Sequence, residues 1–288
     1  MPTPVRGRLA VVRAGAPYEV SIRELYSEWG DEPSGERIQA LLDESLRPRG
    51  PDMLFDIAAE IGVADGDLVL DAGCRDGRHM IELVRRFGCR TVGVELVPAN
   101  LRRGAARLAE AGRDMASRTS LVHGDIQRLP FADGAFDFVW NRDVMIHVPD
   151  LTAGLRECRR VLKDGGRMLV FQMFATSWLT EGEAARLWPR LAAVARNADP
   201  AYFDARAASA GWQVERVEHI RSEWREFAEE TGPGKTSRQL LHAARLLRDP
   251  ERYVNAMGRG EYEGELGDAL WGVYQMIGKL SGRVYVLA

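Results

Sequence analysis

Between residues 68 and 172 the chain repeatedly alternates a short, continuous apolar run with a stretch of helical periodicity. The runs are LVLDAG (68–73), TVGVEL (91–96), SLVHGD (120–125), FDFVW (136–140) and RMLVFQ (167–172). Runs this short and this uniformly apolar read as strands buried on both faces, which need helices on each side to cover them. The intervening segments supply those helices. One is expected from about Gly77 to Phe87, closed by Gly88. Another covers Asn100–Ala111, with Leu101, Ala105, Leu108 and Ala109 on one face and Gly112 as its stop. A third carries the stripe Leu151, Leu155, Cys158, Val161 and Leu162 and is expected to end at Gly165-Gly166. This alternation specifies an α/β class, a doubly wound and mostly parallel sheet. A further helix at about Tyr202–Ala210, a strand at 212–220 and a last strand at 283–287 bring the expected sheet to seven strands.

The flanks are different in character. Residues 1–20 hold three prolines and read as a loose arm. Ile22, Leu25, Tyr26 and Trp29 then fall at helical spacing, Ile38, Leu41, Leu42 and Leu46 do so again, and a helix over Pro51–Ile61 precedes Gly62. Residues 222–282 read as helices with two apolar stripes, Leu240-Leu241-Ala244-Leu247 and Leu266-Leu270-Val273-Tyr274-Ile277. The expected organisation is an N-terminal arm and lid (1–50), a core (51–221 with 283–288) and a helical cap inserted at 222–282.

Charge and cysteine usage narrow the function classes. Formal net charge is −3, from 39 Lys and Arg against 42 Asp and Glu, so the basic field of a nucleic-acid binder is missing. No apolar run approaches the roughly 20 residues that cross a bilayer. The opening MPTPVRGRLAVVRAG has only short apolar pairs, so no secretory signal is expected and a cytoplasmic location is. Cys74, Cys89 and Cys158 are odd in number and lack metal-ligand spacing, which argues for reduced thiols and against a zinc site or any other metal.

Ligands of open α/β sheets bind beyond the carboxyl ends of the strands, where strand order switches. After the first strand comes Asp71-Ala72-Gly73-Cys74-Arg75-Asp76-Gly77, whose glycines let backbone N–H groups approach a ligand at a helix start. Glu95 ends the second strand, 18 residues beyond Gly77, where a carboxylate can hold both ribose hydroxyls. Gly124-Asp125-Ile126 follows the third and Asn141-Arg142-Asp143 the fourth. A glycine loop with a ribose carboxylate suits either a dinucleotide or S-adenosylmethionine.

The stretches VLDAGCRDGRH, VGVEL, HGDIQRLPFADGAFDFVWNRDVMIHVPD and ECRRVLKDGGRMLV, in that order from Asp67 to about Gln172, decide between them. They resemble class I S-adenosylmethionine-dependent methyltransferases of the small-molecule (type 11/25-like) kind. The resemblance implies a seven-stranded Rossmann-like methyltransferase sheet with helical cap insertions and S-adenosyl-L-methionine as cofactor. It further implies that Asp71, Ala72, Gly73 and Gly77 shape the pocket for the methionine part, and that Glu95 binds the ribose. Leu96 would pack on the adenine, Asp125 take its amino group, Ile126 cover the ring, and Asn141 offer backbone near the methionine amino group. One position departs from the pattern. Arg75 replaces the middle glycine, and if its φ must be positive the substitution costs on the order of 1 kcal/mol.

Other candidates have bland alternatives beside the functional ones. His147, after the fourth strand, is the candidate base, or else a satisfied structural histidine. His79, His123 and His242 are weaker. Arg142 either grips an anionic substrate or pairs with Asp143. Tyr18, Tyr26 and Trp29 are lid aromatics over the sulfonium, or interior packing. Gly232-Pro233-Gly234-Lys235-Thr236 imitates a phosphate loop, but Glu229 stands where its first glycine belongs and Pro233 has no N–H.

In this topology the strand at 212–220 ends on the ligand side, so the block before 283 covers the active-site mouth. Residues 173–201 should emerge there too, giving an enclosed, mostly apolar site for a modest organic molecule. The expected function is methyl transfer to such a molecule in specialised, natural-product metabolism, with oxygen or nitrogen as acceptor ahead of carbon. An NAD oxidoreductase lacks its Tyr-x-x-x-Lys pair here, and a base-directed nucleic-acid methyltransferase lacks its Asn/Asp-Pro-Pro-Tyr/Phe turn. A nucleic-acid or protein methyltransferase and a non-catalytic cofactor-binding protein stay as alternatives. Neither nucleic acid nor membrane is expected as a partner, and a homo-oligomer is left open.

Overall fold

The computed structural model describes residues 21–22 and 32–288, with side chains from residue 37 onward in the second stretch. Residues 1–46 form one unit and 47–288 another. The first contains helix α1 (Glu32–Leu42). Tyr18, Tyr26 and Trp29, expected as lid aromatics, lie outside the described residues.

In the second unit the elements follow as α2 (Met53–Glu60), β1 (Leu68–Ala72), α3 (Arg78–Phe87), β2 (Arg90–Glu95), α4 (Pro98–Glu110), α5 (Arg113–Arg118) and β3 (Thr119–His123). Next come β4 (Phe136–Arg142), α6 (Leu151–Arg160), β5 (Leu162–Ala175), α7 (Glu181–Arg190), α8 (Pro200–Ser209) and β6 (Val214–Arg221). Four helices, α9 (Glu223–Thr231), α10 (Lys235–Arg248), α11 (Pro250–Met257) and α12 (Arg259–Met276), lead to β7 (Leu280–Leu287). The sheet has seven strands in the order β3-β2-β1-β4-β5-β7-β6. Strands β1 to β5 pair in parallel, and β7 runs antiparallel between β5 and β6.

Side chains alternate across this sheet as its pleat demands. Val69, Phe138, Trp140, Leu169, Phe171, Val284 and Val286 face one core with α2, whose Leu54 and Ala58 are fully buried. Leu70, Val139, Met168, Val170, Tyr285 and Leu287 face the other, against Leu155 of α6 and Phe203 of α8. A third, smaller cluster of Ala243, Leu246, Tyr262, Leu266 and Ala269 lies between α10 and α12.

One boundary differs from expectation. Helix α6 stops at Arg160, and Gly165-Gly166 belong to β5, which is much longer than residues 167–172. Gly166 serves strand packing, since a Cβ there would sit 2.9 Å from the Asp137 carbonyl oxygen, whereas Gly165 takes φ +77° in open space. Here β5 crosses an irregular register against β4 between Phe136 and Phe138.

The fold also positions the turn after β4. Asn197 is fully buried and its Nδ2 donates to the carbonyls of Met145 and Val148, both at 2.8 Å. Its own carbonyl accepts from Gln172 Nε2 at 2.7 Å. Asn197→Ala strips two buried carbonyls of their donor, so we expect unfolding free energy to fall by about 2–4 kcal/mol in urea titration. A variant as stable as the parent would show that this asparagine does not hold the turn.

Candidate active site

A cavity of about 680 Å³ opens at the carboxyl ends of the first four strands. Its wall is built loop by loop. After β1, Gly73 takes φ +90°, and a Cβ there would fall 2.4 Å from Val144 Cγ2, so only glycine lets this loop lie against the turn after β4. The N–H groups of Gly73 and Cys74 both donate to the Val94 carbonyl at 2.9 Å. Arg75 adopts φ +51°, the left-handed conformation that its departure from glycine made costly.

Glu95 explains why the loop holds that shape. Its side chain is buried on the cavity wall. Oε2 accepts the Arg75 N–H at 3.0 Å and Oε1 the Val97 N–H at 2.8 Å. A carboxylate has about four acceptor positions, so two remain for a ligand diol. After β3, Asp125 accepts the Gln127 N–H at 2.8 Å, and the Gln127 amide donates back to both carboxylate oxygens. Gln127 in turn accepts the Asp150 N–H at 2.9 Å, which ties this corner to the start of α6. Leu96, 60% exposed, and the buried Ile126 line the same part of the wall, an apolar pair suited to a flat ring.

Of the residues expected to hold cofactor, Gly73, Glu95, Leu96, Asp125 and Ile126 line this one cavity. Asp71, Ala72, Gly77 and Asn141 lie outside its lining. Asp71 and Asn141 are buried, and Asp71 Oδ2 and Asn141 Oδ1 have no hydrogen-bond partner. Asn141 Nδ2 donates to the Ala72 carbonyl at 2.7 Å. Buried acceptors without donors are costly, and on the cavity wall itself the open acceptor positions of the Glu95 carboxylate fit a ligand diol. The residues present therefore fit an adenosyl-methionine group.

Burial, and then the charge of Glu95, push the Asp71 carboxyl up to about 8, against the opposing pull of Arg142. Arg142 is part of the cavity wall, with its guanidinium 5.5 Å over the Trp224 ring and Nη1 within hydrogen-bond distance of His79 Nε2. It makes no ion pair with Asp143 among the described residues. Burial holds His79 down at about 3, which keeps it a neutral acceptor for that guanidinium.

His147 also reaches the cavity, on the exposed side of a short turn over Met145–His147. Its Nδ1 lies 3.1 Å from the Ala192 carbonyl oxygen. That partner requires the proton on Nδ1 and leaves the Nε2 lone pair as a base. His123 instead meets the Leu96 carbonyl at 3.0 Å, and His242 is absent from the cavity lining.

The distal part of the cavity departs from the sequence reading. The roof helices contribute Arg225, Lys235, Asp268 and Trp271, so it is charged where a mostly apolar wall was expected. None of residues 173–201 lines the cavity, because that segment is spent on supporting the turn after β4. Their signal in the sequence was weak: polar positions within helices look like solvated faces. The phosphate-loop mimic is filled from within, since Glu229 accepts the Thr236 N–H and the Ser237 hydroxyl, the latter at 2.6 Å. A second depression beyond the opposite strand ends is lined by Arg160 and Lys163, both already paired, with Glu157, Asp133 and Asp137. No group of three or more His, Cys, Asp or Glu suited to a metal occurs among the described residues.

Comparison with known proteins agrees with this geometry. Residues 70–170 match a family described as "Methyltransferase domain". "Methyltransferase GfsG" of Streptomyces halstedii is 32% identical over 127 residues, 44% of this chain and 45% of that one. The "Sterol 24-C-methyltransferase" of Eremothecium gossypii is 33% identical over 120 residues, 42% of this chain and 32% of that one. The chain thus spans less than half the length of these curated relatives. A crystal structure of a putative sarcosine dimethylglycine methyltransferase from Galdieria sulphuraria superposes with a TM-score of 0.63 at 19% identity, covering 82% of each chain. Residues 70–170 are therefore similar to a methyltransferase domain, and the sheet has the class I, Rossmann-like fold. No helix among the described residues is long and apolar enough to cross a membrane.

The raised Asp71 pKa has a signed consequence. Its folded form holds a proton that the unfolded chain releases near 4, so folding binds a proton and stability falls as pH rises toward 8. Between the ordinary histidine range and pH 8, Asp71→Asn should flatten this loss in urea unfolding series. An unaltered slope would mean that Asp71 is ionised in the folded protein.

Proposed function

We propose that the protein is an S-adenosylmethionine-dependent methyltransferase acting on a small organic molecule in specialised metabolism. The observation that carries this reading is Glu95: a buried carboxylate on the cavity wall, anchored by backbone N–H groups of two successive strand-end loops. In this reading Glu95 binds the ribose, Leu96 and Ile126 enclose the adenine, and Asp125 takes its amino group. Asp71, Ala72, Gly73, Gly77 and Asn141 shape the end that receives the methionine part. The roof helices (within 222–282) cap the acceptor over the core. The family match supports the class of reaction, and the cavity supports the size of the substrate.

When bound, the sulfonium supplies an activated methyl group, so the chain's work is mainly alignment and exclusion of water. The glycine loop and Glu95 hold one end of the cavity rigid, while Trp271 and the roof helices narrow the other. His147 is placed to take a proton from an acceptor hydroxyl at Nε2, with Nδ1 fixed by Ala192. That arrangement favours oxygen or nitrogen as acceptor. The sterol relative is named for transfer to carbon, so acceptors of both kinds belong in the assay.

Two measurements check the reading. Glu95→Ala should weaken S-adenosylmethionine binding by about tenfold or more, about 1.4 kcal/mol, in calorimetric titration; parental affinity would contradict the ribose role. His147→Ala should lower turnover of a hydroxyl acceptor by about a hundredfold or more while cofactor affinity stays unchanged. Parental turnover would leave His147 as a structural residue only.

A further inference from the structure

This inference rests on the cofactor reading above and concerns the cations of the same cavity. Besides Arg75 of the loop after β1 and Arg78 at the start of α3, three cationic side chains line it from separate elements: Arg142 at the end of β4, Arg225 on α9 and Lys235 at the start of α10. Arg225 Nε donates to Gln275 Oε1 at 2.7 Å, and its Nη1 to Gln239 Oε1 at 3.1 Å. Both glutamines are buried. Gln239 Nε2 donates to the Asp268 carboxylate at 3.1 Å, which turns its oxygen toward the arginine. Helix α12 is cut to fit this amide. A Cβ at Gly272 would collide with Gln239 Oε1 and lie 2.6 Å from its Cδ.

Two guanidiniums on the cavity wall are thus oriented by neutral partners, amides for Arg225 and an imidazole with an indole face for Arg142. Neither makes an ion pair among the described residues, and neither does Lys235. The anions nearby are Asp143 and Asp268 on the same wall, with Asp71 and Glu229 farther off. Glu229 is committed to the start of α10. Asp143 feels the charge of both arginines, without an ion pair to either among the described residues. Burial lowers both guanidinium pKa values, the mark of charges that have lost water without gaining a contact anion.

A desolvated charge without a contact partner is expensive to keep. A guanidinium offers five N–H donors in a planar fork matched to carboxylate and phosphate, and the contacts above use only part of them. We propose that the acceptor substrate carries an anionic group, a carboxylate or a phosphate, that is gripped by Arg142 and Arg225 with Lys235 as an outer third charge. The anion fixes one end of the acceptor in the distal part of the cavity and leaves its nucleophilic atom toward the cofactor end. A neutral acceptor would leave the two arginines as they stand.

Calorimetric titration of the S-adenosylhomocysteine complex with benzoate, phenyl phosphate and benzyl alcohol tests this. The parent protein should bind at least one of the two anions about tenfold or more tightly than the neutral alcohol. Arg225→Gln should bring that anion to the level of the alcohol, with S-adenosylhomocysteine affinity unchanged. Lys235→Gln alters an exposed side chain and should weaken anion binding without touching the alcohol, so the test survives if the arginine variant does not fold. Equal affinity for benzoate, phenyl phosphate and benzyl alcohol, in protein that binds S-adenosylhomocysteine, overturns the anion site and leaves the cofactor reading intact. Failure of the parent to bind S-adenosylhomocysteine overturns both. A preference between benzoate and phenyl phosphate identifies which anion the arginines fit.

Discussion

The carboxylate of Glu95 is the joint between the loops after β1 and β2. It accepts one backbone N–H from each, at 3.0 Å from Arg75 and 2.8 Å from Val97. Hydrogen bonds to a charged group contribute about 1.5–3 kcal/mol each, whereas the left-handed conformation of Arg75 costs about 1–2 kcal/mol. The bond wins, and the loop keeps a shape that glycine would have adopted without strain. With the Glu95 carboxylate fixed beside it, the carboxyl of Asp71 is left to hold a proton, because burial and then a like charge oppose its ionisation. Two adjacent carboxyls thereby acquire different states from their surroundings. The cavity inherits one fixed negative rim, and the unpartnered oxygens of Asp71 and Asn141 lie nearby behind its wall.

The cavity wall also carries Arg142 and Arg225, which have no contact anion among the described residues, with Asp143 and Asp268 on the same wall. Its arginines come from the core strand β4 and from the roof, and they are steered by groups that carry no charge: His79, Gln239 and Gln275. The small cluster between α10 and α12 gives the roof a core of its own, which fixes the helices that present Lys235 and Trp271. In the proposed reading the methyl donor needs little chemical help, so the charged wall is best understood as a device for orientation.

Strand and helix periodicity made the sheet readable, since doubly buried strands leave a pattern in every residue. The proposed cofactor rim was readable in part for the same reason: Gly73, Glu95, Leu96, Asp125 and Ile126 occupy strand ends and line the cavity, while Asp71, Ala72, Gly77 and Asn141 do not line it. The strain at Arg75 followed directly from its place among glycines. What escaped was set by packing at a distance. Arg225 and Lys235 sit on amphipathic helices where a charge ordinarily faces water, and nothing local distinguishes them from their neighbours. Gln127 and Asn197 act through hydrogen bonds to residues 20 or more positions away in the chain, which no spacing rule reports. The glycine pair at 165–166 misled because a helix stop, a left-handed turn at Gly165 and a tight strand crossing at Gly166 all call for the same residue.

The central claim is that Glu95 faces the sugar of an adenosyl ligand at the carboxyl ends of the strands. A crystal structure of the protein grown with S-adenosylhomocysteine tests it directly. The account requires both ribose hydroxyls within hydrogen-bond distance of the Glu95 carboxylate and the adenine between Leu96 and Ile126. A nucleoside bound elsewhere, or a Glu95 side chain turned from the sugar, would contradict it.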